Sequence, residues 1–167
     1  MAYTFAQYQE SADRIKEKIG SFVPKVAMVL GSGLGFLGDI VEDPIAIPYG
    51  EIPHFKASTA PGHAGRLVFG TLAGRNVAVM QGRMHHYEGY DYDEVSYAVR
   101  VLRLLGCDTL IVTNAAGCVN TAWKAGDLML ITDQIKMFSE SPLRGKNLPG
   151  FGVRFPDASH LYTPRLR

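Results

Sequence analysis

Three short apolar runs, residues 26–30, 77–80 and 110–112, each break off into glycine or small polar residues, and no other feature constrains the fold as tightly. The first, Val-Ala-Met-Val-Leu, follows Pro24 and ends at Gly31, which suits a strand buried on both faces rather than a helix. Residues 110–112 and 128–131 are read as further buried strands of the same kind. Residues 67–69 and 77–80 flank the turn-forming stretch Ala73-Gly74-Arg75-Asn76 and predict a hairpin. Two helices are signalled. Thr4 stands three residues before Gln7, with Phe5, Tyr8, Ala12, Ile15 and Ile19 at helical spacing and Gly20 as a stop. Asp91 stands three before Glu94, with Val95, Ala98, Val99, Leu102 and Leu105 on one face up to Gly106. Buried strands alternating with helices indicate an α/β domain with a parallel or mixed sheet, whose ligands bind beyond the carboxyl ends of the strands.

Size and charge narrow the function. At 167 residues and 18.3 kDa the chain has the length of one domain, and 47% hydrophobic with 20% charged residues is a globular composition. Seventeen basic and sixteen acidic side chains leave a net charge of +1, so no global field draws it to nucleic acid or to an anionic membrane, and any anion site must be local. Cys107 and Cys118 are too few for a disulfide framework and fit no zinc spacing, which points to a reducing, cytoplasmic setting. No uncharged apolar run approaches the roughly 20 residues needed to span a bilayer. Past Ser139, Pro142, Gly145, Pro149, Gly150, Gly152 and Pro156 punctuate a long loop. A helix beginning at Asp157 is interrupted by Pro164.

Four segments carry chemistry. Gly31-Ser32-Gly33-Leu34-Gly35 follows the first strand, and its small residues let backbone N–H groups and the Ser32 hydroxyl meet a phosphate. Phe36 stands where a dinucleotide fingerprint needs glycine, and the Gly-Lys-Ser/Thr of a P-loop is absent. Pro61-Gly62-His63-Ala64-Gly65 places a histidine between glycines. Residues 81–90, Gln-Gly-Arg-Met-His-His-Tyr-Glu-Gly-Tyr, crowd a guanidinium, two imidazoles, phenols and a carboxylate at one strand end. Arg83 and His85 project to one side of an extended segment and are suited to clamp an oxyanion, while Glu88 is placed to keep a histidine protonated or to orient it. Thr113-Asn114-Ala115-Ala116-Gly117 again offers small residues after a strand. Judged alone, the glycine-rich and small-residue turns fit a ligand-free turn equally well, and a lone loop histidine is more often simply exposed. Adjacent His85 and His86 lack the companions of a metal site, and no Gly-x-Ser-x-Gly elbow is present.

Taken together and in this order, the segments resemble the trimeric purine nucleoside phosphorylase family. Tyr49-Gly50-Glu51-Ile52-Pro53, Gly126-Asp127 and Ser141-Pro142-Leu143-Arg144-Gly145 match as well, so the resemblance runs along nearly the whole chain. Methylthioadenosine phosphorylases typically carry threonine where Ser32 stands and lack the Tyr-Glu-Gly-Tyr ending, which favours the purine nucleoside branch. The resemblance implies a three-layer α/β sandwich whose central mixed, partly barrel-like sheet is flanked by helices, with residues 1–167 a single domain lacking its C-terminal part. It implies reversible phosphorolysis of purine ribo- or deoxyribonucleosides, without metal or organic cofactor, in a cytoplasmic homotrimer that binds neither nucleic acid nor membrane. Ser32, Arg83, His85 and the backbone at Ala115 would hold phosphate, with His63 closing over it. His85 and Glu88 would serve catalysis, Glu88 by orienting the cationic cluster. Tyr87 would contact the sugar, and Phe151 would reach a neighbouring subunit's sugar site. Cys118 and Asp133-Gln134-Ile135-Lys136 depart from the family pattern away from the phosphate segments. The family's purine-binding acidic residue and asparagine, a second phosphate serine and a 5′-hydroxyl histidine belong to the part beyond this chain. Two other readings stand: a non-catalytic phosphate- or nucleoside-binding remnant, and a dinucleotide-binding domain, the latter disfavoured by Phe36.

Overall fold

The computed structural model describes residues 3–56 and 64–167, in two compact units, Met1–Ala115 and Ala116–Arg167. In the first unit, helix α1 spans Phe5–Ile19 and begins as its sequence predicts: the Thr4 backbone N–H donates to Gln7 Oε1 at 2.8 Å, and the Gln7 N–H donates to Thr4 Oγ1 at 3.4 Å. Gly20, at φ +60°, ends it. Its buried stripe is Tyr8, Ser11, Ala12, Ile15 and Ile19. Helix α2, Tyr92–Leu104, starts where the Glu94 carboxylate accepts from the Asp91 N–H at 2.9 Å and buries Tyr97, Ala98, Val101 and Leu102.

Five strands form one mixed sheet: β1 (Val26–Val29), β2 (Glu42–Pro48), β3 (Arg66–Leu72), β4 (Arg75–Gln81) and β5 (Thr109–Val112), in the order β2-β3-β4-β1-β5. Strands β2, β3 and β4 are antiparallel neighbours, whereas β4, β1 and β5 run parallel. The hairpin β3–β4 closes more tightly than the composition of its turn suggests. Leu72 pairs with Arg75, so the loop is Ala73 and Gly74 alone, at φ +50° and +70°, the left-handed pair that matches strand twist. On one face of the sheet, Val68, Val77 and Val79 form a core cluster with Leu30 and Val41, and Leu34 and Leu37 from the glycine-rich loop pack against it. Ala27, Leu67, Phe69, Ala78 and Met80 are buried as well.

Several expectations are corrected. Strand β2 carries Glu42, Asp43 and Pro44 and announces itself by no apolar run, because an edge strand needs only one partner and tolerates both charge and proline. Strand β5 forms as expected but is not buried. Leu110, Ile111 and Val112 are all exposed, since β5 lies at the other edge with β1 as its neighbour in the sheet. Residues 128–131 are not a strand: Leu128, Met129 and Leu130 are exposed, and no strand pairs with them among the described residues. An apolar run becomes a strand only where another strand takes up its backbone groups. Among its described residues the second unit holds neither strand nor α-helix. Its regular structure is two 3-10 turns, Pro149–Phe151 and Pro164–Leu166, and no helix starts at Asp157.

Candidate functional site

Parallel register puts three of the four chemically interesting segments on one sheet edge. Val29 of β1 pairs with Met80 of β4 on one side and with Val112 of β5 on the other, so the three strands finish side by side. From those carboxyl ends emerge the Gly31–Gly35 loop, the segment beginning Gln81-Gly82-Arg83, and Thr113-Asn114-Ala115. Ligands in sheets of this kind bind at that edge, where no helix or strand covers the backbone groups.

Thr113 joins the segments. Its N–H and its hydroxyl both donate to the Val29 carbonyl, at 3.0 and 3.1 Å. The same hydroxyl accepts from the Gly31 N–H at 2.7 Å, and the Thr113 carbonyl accepts from the Arg83 guanidinium at 2.5 Å. The approach is so close that a Cβ on Gly31 would lie 2.9 Å from the Thr113 carbonyl oxygen. Gly31 is therefore required by packing, while Gly33, at φ +84°, is required by conformation.

A second set of contacts fixes the far end of the glycine loop. Gln81, buried at the end of β4, donates from Nε2 to the Gly35 carbonyl at 2.7 Å and to Asp39 Oδ1 at 2.8 Å. Its Oε1 accepts from Arg66 Nε at 2.6 Å, and Arg66 also reaches Asp39 at 3.0 Å. Every polar atom of the Gln81 amide that the interior hides thus has work to do, as buried amides require. Gly38 is small because Gln81 lies against it: a Cβ there would come within 2.8 Å of the amide carbon. Tyr49, whose hydroxyl donates to the Gly82 carbonyl at 2.5 Å, is held neutral by burial, which raises its pKa. Asp39, Arg66 and Tyr49 were not singled out from the sequence as groups with a role at the site. They stand 15 to 42 positions from the partners they meet in the Gln81-Gly82 segment, so no local spacing marks the contact.

His85 and Glu88 come together as their spacing suggests. A 3-10 turn over His86–Glu88 brings the Glu88 carboxylate back to the His85 N–H at 2.8 Å and to His85 Nδ1 at 2.7 Å. The Glu88 side chain is only 5% exposed and that of His85 20%, so the pair is shielded from water more than a surface ion pair. The Glu88 carboxylate at Nδ1 thus fixes the orientation of the His85 ring. Tyr87 stacks on the His85 ring, centroids 4.7 Å apart, and is otherwise exposed. His86 turns elsewhere: Nδ1 meets the Tyr90 carbonyl at 2.8 Å and the ring stacks on Tyr92. Ser32 and Ala115 are exposed in their loops. His63 lies outside the described residues. Phe151 belongs to the second unit, half-buried in its 3-10 turn.

Residues 25–167 match the phosphorylase superfamily. The chain belongs to that superfamily. Within it, the chain is 52% identical over 159 residues to purine nucleoside phosphorylase 1 of Geobacillus stearothermophilus, covering 95% of this chain and 58% of that protein. It is 50% identical over 168 residues to the purine nucleoside phosphorylase of Bos taurus, covering 99% of this chain and 58% of that protein. Among solved structures, isoform 2 of purine nucleoside phosphorylase from Schistosoma mansoni, in complex with cytosine and ribose-1-phosphate, superposes with a TM-score of 0.90 at 39% identity, covering 99% of this chain and 59% of that one. This phosphorylase-superfamily chain thus spans a little under three fifths of the length of these relatives. No helix among its described residues is long and apolar enough to cross a membrane.

Proposed function

We propose that the protein is a purine nucleoside phosphorylase, catalysing the reversible phosphorolysis of purine ribo- or deoxyribonucleosides to the free base and pentose 1-phosphate. The observation that supports this reading is the junction at Thr113, which ties the Gly31 loop and the Arg83 guanidinium to one point at the carboxyl ends of parallel strands, where an oxyanion would find the loop's other amides and the rest of the guanidinium. In this reading Ser32, Arg83, His85 and the backbone at Ala115 hold phosphate, His63 closes over it, and Tyr87 lies against the sugar. Glu88 fixes the His85 ring so that Nε2 faces the anion. Phe151 covers the sugar of a neighbouring subunit in a homotrimer. The two units belong to one phosphorylase domain, a reading supported by the uninterrupted family match across both. The protein works in the cytoplasm, in purine salvage, and uses no metal or organic cofactor. Phosphate is a substrate.

The chemistry asked of these residues is placement and charge. As the glycosidic bond breaks, its electron pair leaves with the base and the sugar acquires oxocarbenium character. A phosphate dianion fixed beneath the ring stabilises that charge and then forms the new bond to the anomeric carbon, with inversion. The protein supplies no nucleophile of its own. The same junction would also serve a binding module that holds phosphate or nucleoside without turnover, which is the second reading. Phosphate-dependent release of hypoxanthine from inosine separates the two. Release establishes the enzyme, phosphate binding without release establishes the module, and a chain that neither releases base nor binds phosphate overturns both readings.

A further inference from the structure

The oxyanion seat of the proposed function draws on two groups that come from different strands, the Gly31 loop after β1 and the Arg83 guanidinium after β4, so chain connectivity does not set their spacing. Both instead contact one residue of a third strand end. The Gly31 N–H donates to Thr113 Oγ1 at 2.7 Å, and Arg83 donates to the Thr113 carbonyl at 2.5 Å. Thr113 is itself anchored twice to the Val29 carbonyl, by its N–H at 3.0 Å and its hydroxyl at 3.1 Å. A hydroxyl that accepts one hydrogen bond and donates another has a fixed rotor, so its oxygen is held in one place. We propose that Thr113 is a positioning residue of the phosphate site: its hydroxyl sets the start of the glycine loop and its carbonyl sets Arg83.

This inference rests on the phosphate site of the proposed function and adds to it a residue that touches no substrate. The chemistry of the side chain makes it separable. Valine has the same shape but neither donates nor accepts, so it would leave the buried Gly31 N–H facing a methyl group while the carbonyl still receives Arg83. Serine keeps the hydroxyl and loses only a methyl. Alanine at this position would change shape and polarity together and is the less informative variant.

The test uses the full chain and inorganic phosphate as the probe, with binding followed by calorimetry and folding by circular dichroism. Thr113→Val should weaken phosphate binding about tenfold, because a loop start that is no longer pinned must be ordered again when the anion binds. Thr113→Ser should bind within about twofold of the parent, because the hydroxyl is the group that matters. A purely structural role for the side chain would not be rescued selectively by serine over the isosteric valine. In the parent, the Gly31 amide should exchange with solvent as slowly as the β1 amides, a measurement that needs no variant and stands even if Thr113→Val does not fold. A Val variant that binds like the parent, a Ser variant as weak as Val, or a rapidly exchanging Gly31 amide overturns the assignment while leaving the phosphate site intact. A parent that binds no phosphate overturns the site itself, and the role of Thr113 with it.

Discussion

Two glycines of the same loop should answer oppositely to the same substitution. At Gly31 an added Cβ would lie 2.9 Å from the Thr113 carbonyl oxygen, 3.1 Å from Asn114 Cα and 3.2 Å from the Thr113 carbonyl carbon. All three are backbone atoms, so no side chain can swing aside and the end of β5 must move. At Gly35 a Cβ meets nothing within 4 Å. Neither glycine has a positive φ, so alanine gains the same modest advantage at both by restricting the unfolded chain, and that advantage cancels in the comparison. What remains is the steric cost at Gly31, about 1–3 kcal/mol for overpacking a well-filled site. For a chain of this size that corresponds to a gap of roughly 2–12 °C in melting temperature between Gly31→Ala and Gly35→Ala. Thermal melts of the two variants by circular dichroism measure it directly. Phosphate binding should follow the same order, since the displaced β5 end carries the carbonyl that holds Arg83. A Gly31→Ala variant that melts at or above Gly35→Ala would refute the close approach of β1 and β5 on which the site's geometry depends.

The other predictions concern charge and reactivity. Arg83→Ala should lower the phosphorolysis rate by about 2–4 kcal/mol of transition-state stabilisation, the loss typical of one oxyanion donor; steady-state kinetics with inosine checks it, and an unchanged rate removes Arg83 from the site. Burial, reinforced by the neighbouring Asp108, pushes the Cys107 thiol up to about 12, whereas Cys118 is exposed. A thiol-specific reagent at neutral pH should therefore label Cys118 rapidly and Cys107 only after denaturation, and mass spectrometry of the labelled peptides reads the order. Tyr97 is lifted by burial from its ordinary value of 10.0 to about 12, with its hydroxyl donating to the Gln7 carbonyl at 2.8 Å. A raised folded pKa means that stability is fully present below pH 10 and is lost as pH climbs towards 12, so urea midpoints should fall across that window. Tyr97→Phe should make that decline shallower without abolishing it, because Tyr3, Tyr8, Tyr49 and Cys107 are raised by burial too, and an equally steep fall in the variant would place its cause in those groups alone.

Local signals were legible where short-range physics decides the outcome. The Thr4–Gln7 and Asp91–Glu94 spacings predict helix starts because a cap is made within one turn. The Ala73-Gly74 turn is readable because backbone sterics alone favour glycine at positive φ. The His85–Glu88 pair was readable for the same reason, three residues apart and joined by one turn. Strands were less legible, since a strand exists only by virtue of its neighbour. Residues 128–131 are as apolar as the strands of the sheet and yet form none, while the charged, proline-bearing β2 does. The clasp of Gln81 on Gly35 and Asp39, with Arg66 behind it, joins residues 15 to 46 positions apart and leaves no periodicity to detect.

The sequence by itself determined the two helices, the hairpin, the α/β class and the order of the motifs, because capping, turn sterics and the grouping of chemically active residues all act over a few positions. Only the tertiary structure decided which strand ends lie side by side. Parallel pairing of β1 with both β4 and β5 brings Gly31, Arg83 and Thr113 to one edge, although they are separated by as many as 82 positions along the chain. That convergence arises from backbone hydrogen bonds between distant segments, and no residue along the chain carries its mark until those bonds are made.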